Sequence, residues 1–355
     1  MRKGRSDGVA VRRKRTTLRQ VAERAGVSPT TASFVINEVE GSNISAETKA
    51  RVVDAAAELG YMPSAAAQSL VSGRSRTIGL VIYQADLLLV DAFIPQLLFG
   101  LNRVARAKGY QVQVEGVDQL GSDDPYQRMV QAQGLDGLIV LDPRSSDPGL
   151  GRLIRSGFPV VTLGHVPNED PYRVVSENVE GMFEATRHLT SLGHERIAHL
   201  TFSPRGFTGT DERLEGYRRA LEEAGLALDE ELVEETGYSA ESGAEAMHRL
   251  LERTRSFTAV TCGNDTVAVG AMAALREAGL RVPEDVSVVG FDDLPFAAHL
   301  HPPLSTVRTL PVASGERAMD VLLCLIDGKE PEARVVRMET SLVVRASSTP
   351  PRAST

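Results

Sequence analysis

The sequence predicts an α/β protein: a small three-helix head joined to a large body of two parallel sheets wound with helices. Two patterns carry that prediction. As far as residue 62 the apolar positions repeat at helical spacing between capping residues, and from Thr77 onward near-continuous apolar runs alternate with helices. Charge supplies a third observation. The 355 residues sum to −8, yet the first 76 hold 13 Lys/Arg against 7 Asp/Glu, net +6, leaving 26 against 40 for the rest, net −14. A basic head on an acidic body points to a polyanion partner for the head alone.

Residues 1–16 are rich in Arg, Lys, Gly and Ser and lack apolar periodicity, so they read as a disordered basic arm. Residues 17–62 spell three helices: Leu18–Ala25, with Val21, Ala22 and Ala25 on one face; Pro29–Ile36; and residues 46–59, ended by Gly60. Ser28 is the N-cap of the second with Pro29 at its first position, and Ser45 caps the third, because side-chain oxygens satisfy amides the first turn leaves free. In GVSPTTASFVIN, Ala32, Val35 and Ile36 share the inner face, while Thr30, Ser33, Phe34 and Asn37 share the outer one. Preceded by LRQVAERAG, whose Gly26 permits a tight turn, this segment has the spacing of a helix-turn-helix, in which the second helix meets base edges. Ser28 and Thr31 suit phosphates; Thr30, Ser33 and Asn37 suit bases or backbone. The competing reading is an interaction module with a merely solvated polar face, which the positive charge disfavours. Phe34 is the odd residue. An exposed phenylalanine is unfavourable in a free protein, so it either packs against the N-terminal arm or meets a thymine methyl in the groove.

In the body, AKGYQVQV, RSGFPVVTL, SLGHERIAHL, EAGLALD and EAGLRVPEDVSVVGF each place a glycine where a helix end takes a left-handed residue, and most run directly into a strand. Runs such as TIGLVIY, DGLIVL, FPVVTL and VSVVGF suit strands covered on both faces. Residues 77–345 are long enough for two such sheets side by side with a cleft between them. Between head and body, residues 63–76 (PSAAAQSLVSGRSR) begin as helix formers and end as linker, a hinge helix and linker; residues 346–355 read as a tail.

Several function classes drop out. Cys262 and Cys324 lie in apolar runs without CxxC spacing and read as buried and reduced. No apolar run approaches the ~18 residues of a membrane span, and the basic N-terminus leads into an amphipathic helix rather than a signal-peptide core, so the expected compartment is the cytoplasm. The histidines of HERIAH (His194, His199) stand five apart at a turn entering a strand, not four apart on a helix as a zinc site requires. Phosphate-loop, dinucleotide and nucleophile-elbow motifs are missing, so neither catalysis nor a metal or cofactor is expected. A solute-binding receptor without a regulatory role is the alternative; the body alone favours it and the basic head opposes it.

TLRQVAERAGVSPTTASFVINEVEGSNISAETKARVVDAAAELGYMPSAAAQSL is similar to the head and hinge of the lactose-repressor (LacI) family of bacterial transcription regulators. The similarity continues through RTIGLVIY, SENVEGMFEATRHLTSLGHERIAHL, ERLEGYRRAL, VTCGNDTVAVGAMAALREAGLRVPEDVSVVGFDD and PPLSTVR, from Thr17 to about Arg345. The resemblance implies a homodimer, with a tetramer left open, and a periplasmic-binding-protein-like body of two Rossmann-like lobes. That body would sense a small molecule in its cleft and alter affinity for a pseudo-palindromic DNA operator, as a repressor does. It implies DNA contacts at Thr17, Leu18, Ser28, Pro29, Thr30, Thr31, Ser33, Phe34 and Asn37, with Ser45 and Thr48 on the backbone. Ala67 and Leu70 of the hinge would enter the minor groove, where the family inserts a leucine pair and bends the site. Family members often carry arginine where this chain has Phe34, and Pro29 stands where side chains commonly read bases. The turn NEVEGSNIS is also slightly longer than in the lactose repressor. The operator is therefore expected to depart from the usual half-site.

For the effector, the resemblance points to His165, Arg213, Tyr238, Asn264, Asp265 and Asp292. Arg213 offers a planar donor fork, Asn264 and Asp292 exchange hydrogen bonds with hydroxyls, and Tyr238 supplies a ring face. A carbohydrate fits this set better than a nucleobase, since it mixes acceptors with one ring and the chain has no tryptophan. Asp265 is equally readable as a helix cap, and His165 as a strand-end residue. The loop ADLLLVDAF, with Phe93, lines either the cleft mouth or a dimer face. A hinge helix of roughly eight residues is too short to be stable alone, so it is expected to fold only when two copies pair over DNA.

Overall fold

A computed structural model describes residues 16–37, 43–62, 73–83, 86–117, 125–132 and 134–352. The hinge positions Ala67 and Leu70, the turn at 38–42 and the arm before Thr16 lie outside these. Two compact units meet in sequence at Arg76 and Thr77.

The first unit holds α1 (Leu18–Ala25), α2 (Pro29–Ile36) and α3 (Ala46–Glu58). Each begins on the cap its sequence announces. Thr17 and Gln20 form a reciprocal capping box, the Ser28 hydroxyl accepts from the Thr31 amide at 3.0 Å, and the Ser45 hydroxyl accepts from the Thr48 amide at 3.3 Å. The core between the helices is small and tight: Val21, Ala22, Ala25, Ala32, Val35, Val52, Ala55 and Ala56 are buried, with Ile36 half-buried against them. Alanines there let short helices approach closely enough to exclude water.

Strands of the second unit are, in chain order, β1 (Thr77–Ile82), β2 (Gln111–Gly116), β3 (Gly137–Leu141), β4 (Val160–Leu163), β5 (Tyr172–Ser176) and β6 (Ile197–Leu200). There follow β7 (Val233–Glu234), β8 (Ala259–Cys262), β9 (Ser287–Asp292), β10 (Ser305–Arg308), β11 (Val335–Met338) and β12 (Ser341–Val343). They form two sheets, ordered β11-β5-β4-β3-β1-β2 and β12-β10-β9-β8-β6-β7. Every pairing is parallel except β10 with β12, which is antiparallel. The two lobes exchange chain three times: β5 leads through Glu177 into the helix Asn178–Ser191 of the second lobe, Thr309 and Leu310 return it to the first, and residues 339–340 cross again. Central strands such as β8 and β9 are buried at every residue, as covering on both faces demands. The five junction glycines, Gly109, Gly157, Gly193, Gly225 and Gly279, all carry left-handed φ.

Residues 346–352 do not behave as the tail expected of them. Ser347 is fully buried, its carbonyl accepting from the Val288 amide at 2.8 Å and its hydroxyl donating to the Val288 carbonyl at 2.6 Å. The Thr349 carbonyl accepts from His194 Nε2 at 2.8 Å. The segment thus satisfies backbone groups beside β9 that would otherwise be orphaned. His199 is structural too: fully buried, bonded through Nδ1 to Thr261 Oγ1 at 2.9 Å, stacked on Tyr217 at 5.0 Å, and pushed down to about 3 by burial, with Arg213 and Arg205 adding. Both cysteines are free, Cys262 buried and Cys324 half-buried.

Helix pairs in the second unit touch through glycine. A Cβ on Gly270 would overlap the Ala240 carbonyl oxygen of the neighbouring helix Ala240–Arg253, and one on Gly100 would overlap the Val312 carbonyl. Such backbone contacts leave no flexible side chain to yield. Gly270→Ala should therefore destabilise the protein by about 1–3 kcal/mol despite alanine's better helix propensity, read as a lower urea midpoint; an unchanged midpoint would contradict the close approach.

Candidate effector cavity and DNA-reading helix

Parallel strands of both lobes end around one cavity of about 90 Å³. Tyr83 follows β1, Asp142 follows β3, Gly164 follows β4, Phe202 lies just beyond β6, Asn264 just beyond β8, and Asp292 closes β9. Carboxyl ends of strands are where such sheets expose backbone and loops to a ligand.

Arg213, from the helix Thr208–Glu223, is the single arginine among the lining residues. Its guanidinium sits between the Phe291 ring at 3.8 Å and the Phe202 ring at 4.3 Å. Nε donates to Asn178 Oδ1 at 3.1 Å, Nη1 donates to the Gly263 carbonyl, and Nη2 meets Asp292 Oδ1 at 3.5 Å. Each guanidinium nitrogen has one partner, and Asp292 matches the charge.

Two further carboxyls face the same space without a cation of their own. Asp142 accepts from the Gly209 amide at 2.8 Å and from the Tyr238 hydroxyl at 3.4 Å, and adopts a left-handed φ of 45°. Burial pushes it up to about 6; the Gly209 amide and Arg213 oppose the rise and Glu212 adds to it. Asp91 accepts from the Phe93 amide at 2.7 Å, and burial pushes it up to about 7, with Asp292 adding to the rise. Asp292 itself is raised by burial, against the pull of Arg213. Aromatic walls complete the site. Tyr238 stands edge-on to Phe202 at 5.4 Å, and Tyr83 is held by hydrogen bonds to Tyr126 and Asp147, both at 2.7 Å. Phe93 lines the cavity, which places it in the cleft.

Of the six residues expected here, Arg213, Tyr238, Asn264 and Asp292 line the cavity, and two do not. His165 is exposed, one residue beyond the lining Gly164, with its pKa lowered by burial and by Arg173. Asp265 is fully buried away from the cavity, accepting from Thr306 Oγ1 at 2.6 Å and the Leu294 amide at 2.7 Å; it staples β10 to the loop after β9. Nor is it the cap: Asn264 caps that helix, accepting from the Val267 amide at 2.7 Å. Asp91, Asp142, Asn178, Phe202 and Phe291 escaped the sequence reading. The strand-end position of Asp142, directly after DGLIVL, was the signal available for it.

On the head, Pro29, Thr30 and Phe34 are exposed along α2, Phe34 by 39%. Thr31 Oγ1 bonds Ser28 Oγ at 2.9 Å, and Asn37 Nδ2 turns back to the Ser33 carbonyl at 2.9 Å and hydroxyl at 3.2 Å. In this structure the Asn37 amide nitrogen thus braces the end of α2. Leu18 packs half-buried on the head core, Thr17 is engaged with Gln20, and Ser45 donates to Thr48 Oγ1 at 3.0 Å. Among the described residues no helix is long and apolar enough to cross a membrane, and no cluster of side chains is placed to hold a metal.

Comparison with known proteins bears on both parts. Residues 17–64 match the model for bacterial regulatory proteins of the lacI family, and residues 186–348 match a periplasmic binding protein-like domain. The HTH-type transcriptional regulator CelR of Thermobifida fusca is 36% identical over 344 residues, 95% of this chain and 99% of that protein. The chain belongs to the lacI family of bacterial regulatory proteins. The HTH-type transcriptional repressor PurR of Vibrio campbellii is 34% identical over 336 residues, covering 93% and 97% of the two chains. Among solved structures, a lac repressor dimer bound to operator and the anti-inducer ONPF superposes with TM-score 0.82 at 31% identity, over 95% of this chain and all of that one. A CelR–cellobiose complex does so with TM-score 0.71 at 34% identity, over 94% and 100%. As a lacI-family member this protein is a DNA-binding transcriptional regulator and not an enzyme.

Two outcomes follow for the regulator's cavity. Removing the cation from a buried pair strands the carboxylate, so Arg213→Ala should cost about 3–5 kcal/mol, and Asp292→Asn in the same chain should recover part of it; additive losses in urea unfolding would contradict the pairing. Asp91 titrates near 4 in an unfolded chain and about 7 here, so the native state holds an extra proton between those values. Its contribution is present at low pH and lost as pH rises from about 4 to about 7. Asp91→Asn should therefore match the parent melting temperature near pH 4 and exceed it above pH 7.

Proposed function

We propose that the chain is a cytoplasmic homodimeric repressor that grips a pseudo-palindromic operator through α2 and is controlled by a neutral, hydroxyl-rich carbohydrate held in the cavity. The observation that carries the effector class is the charge of the cavity: three carboxyls, Asp91, Asp142 and Asp292, face one arginine, whose charge is already matched by Asp292. Sugar hydroxyls are donors that carboxylates accept, and the rings of Tyr238, Phe202, Phe93 and Tyr83 suit the apolar faces of a pyranose. A phosphorylated or acidic sugar would face Asp91 and Asp142 with no cation to pair with, since Arg213 is already paired with Asp292. Among the relatives, CelR is solved with cellobiose.

Arg213, Asn264, Asp292 and Tyr238 are the contacts proposed for the effector, joined by Asp91 and Asp142. On the DNA side Ser28, Thr31, Ser45 and Thr48 meet phosphates and Pro29, Thr30, Ser33 and Phe34 face the groove, with Leu70 and Ala67 in the minor groove. Occupation of the cavity changes operator affinity, and operator occupation changes effector affinity by the same factor.

The test is to select bound duplex from a random pool with full-length protein, then titrate neutral mono- and disaccharides and their phosphates into the complex. A neutral sugar should shift operator affinity tenfold or more and its phosphate should not; a response to the phosphate alone would overturn the effector class. Leu70→Ala should cut binding to the selected duplex far more than binding to random duplex.

A further inference from the structure

Resting on the regulator reading above, one side chain of the head has chemistry that operator recognition in general does not explain. The helix that would enter the groove, PTTASFVI, carries no charged residue. Its hydrogen-bonding side chains are mostly turned on one another: Ser28 with Thr31, and Asn37 with Ser33. What remains outward along it is Pro29, Thr30 and Phe34, with Thr30 and Phe34 one turn apart on the same face. Phe34 is 39% exposed, and no aromatic ring or guanidinium stacks on it among the described residues.

Base readers differ by what they need. Guanine takes a bidentate cation, adenine takes a free amide, and cytosine takes an acceptor. This helix has no cation, and the amide of Asn37 is turned back on its own helix. The one apolar group a base edge presents in the major groove is the C5-methyl of thymine. We propose that Phe34, with the Thr30 methyl beside it, is a specificity-determining residue that reads a thymine methyl at one symmetric position in each operator half-site. The regulator then selects that position by excluding water between apolar surfaces and not by donor–acceptor pairing. An apolar contact of this kind is indifferent to salt, whereas the phosphate contacts around it are not.

Replacing thymine by uracil removes the methyl and leaves every hydrogen-bonding edge intact. With full-length protein and the duplex selected from a random pool, each thymine is replaced in turn and the dissociation constant measured at two salt concentrations. One symmetric pair should weaken binding by about fourfold per half-site, about fifteenfold together, the factor expected for losing one methyl-sized buried group. Phe34→Ala should lose that sensitivity while keeping the parent's melting temperature, and Phe34→Leu should retain it. 5-Methylcytosine at the same position should restore part of the affinity lost on changing the thymine to cytosine. If wild type and Phe34→Ala respond alike to every uracil, or if Phe34→Ala lowers the melting temperature, Phe34 is not the reader. A pool that yields no preferred duplex would overturn the regulator reading itself.

Discussion

One buried guanidinium organises the body of this protein. Arg213 is held between Phe202 and Phe291, and its donors reach Asn178, Gly263 and Asp292, which belong to three separate segments of the second lobe. A cation taken out of water needs partners of this kind, because an unpaired buried charge carries a large desolvation cost. Its fixed positive charge in turn makes an acidic cavity tolerable: it opposes the rise in pKa of Asp91, Asp142 and Asp292 that burial imposes.

Acidity and lobe closure are joined through Asp142. That side chain leaves the first lobe and is met by the Gly209 amide and Tyr238 hydroxyl of the second. Nearby, the Ser145 amide donates to the Gly206 carbonyl at 2.7 Å, the Ser145 hydroxyl donates to Asp211 at 3.1 Å, and Arg144 covers the Phe207 ring at 4.9 Å. Beside these polar contacts Phe207 of the second lobe is buried among Val81, Tyr83 and Val166 of the first, so the lobes meet through both polar and apolar groups. A ligand that supplies hydroxyls to the cavity carboxyls gains most when the lobes are together, and that difference in affinity is what a regulator can transmit. The positive charge of the head lies outside α2, whose eight residues include none that is charged.

The helices of the head were legible to within a residue because caps are local chemistry: Thr17, Ser28 and Ser45 each bond the amide three positions on, and Gly26 and Gly60 take the left-handed turns that follow. The cavity was legible in part. Arg213, Asn264, Tyr238 and Asp292 stand in motifs whose resemblance pointed to them. Asp265 sits beside Asn264 in the same motif, yet a helix start sends adjacent side chains in different directions, and its carboxyl faces β10 instead. Asp91 and Asp142 carry no motif. Their importance comes from being enclosed together, which no spacing along the chain records.

What the sequence by itself determined is everything set by neighbours a few residues apart: helix starts and stops, the alternation of strand and helix, and the contrast between a basic head and an acidic body. Only the tertiary structure decided which sheet each late strand joins. β11 returns to the first lobe while β12, two residues later, adds antiparallel to the second, and residues 346–352 then close against β9. A short apolar strand suits either edge equally well, so its partner is chosen by which backbone groups remain unpaired once the rest has packed. The same holds for the raised carboxyl pKa values, which depend on the exclusion of water from a space that exists only when the two lobes lie together.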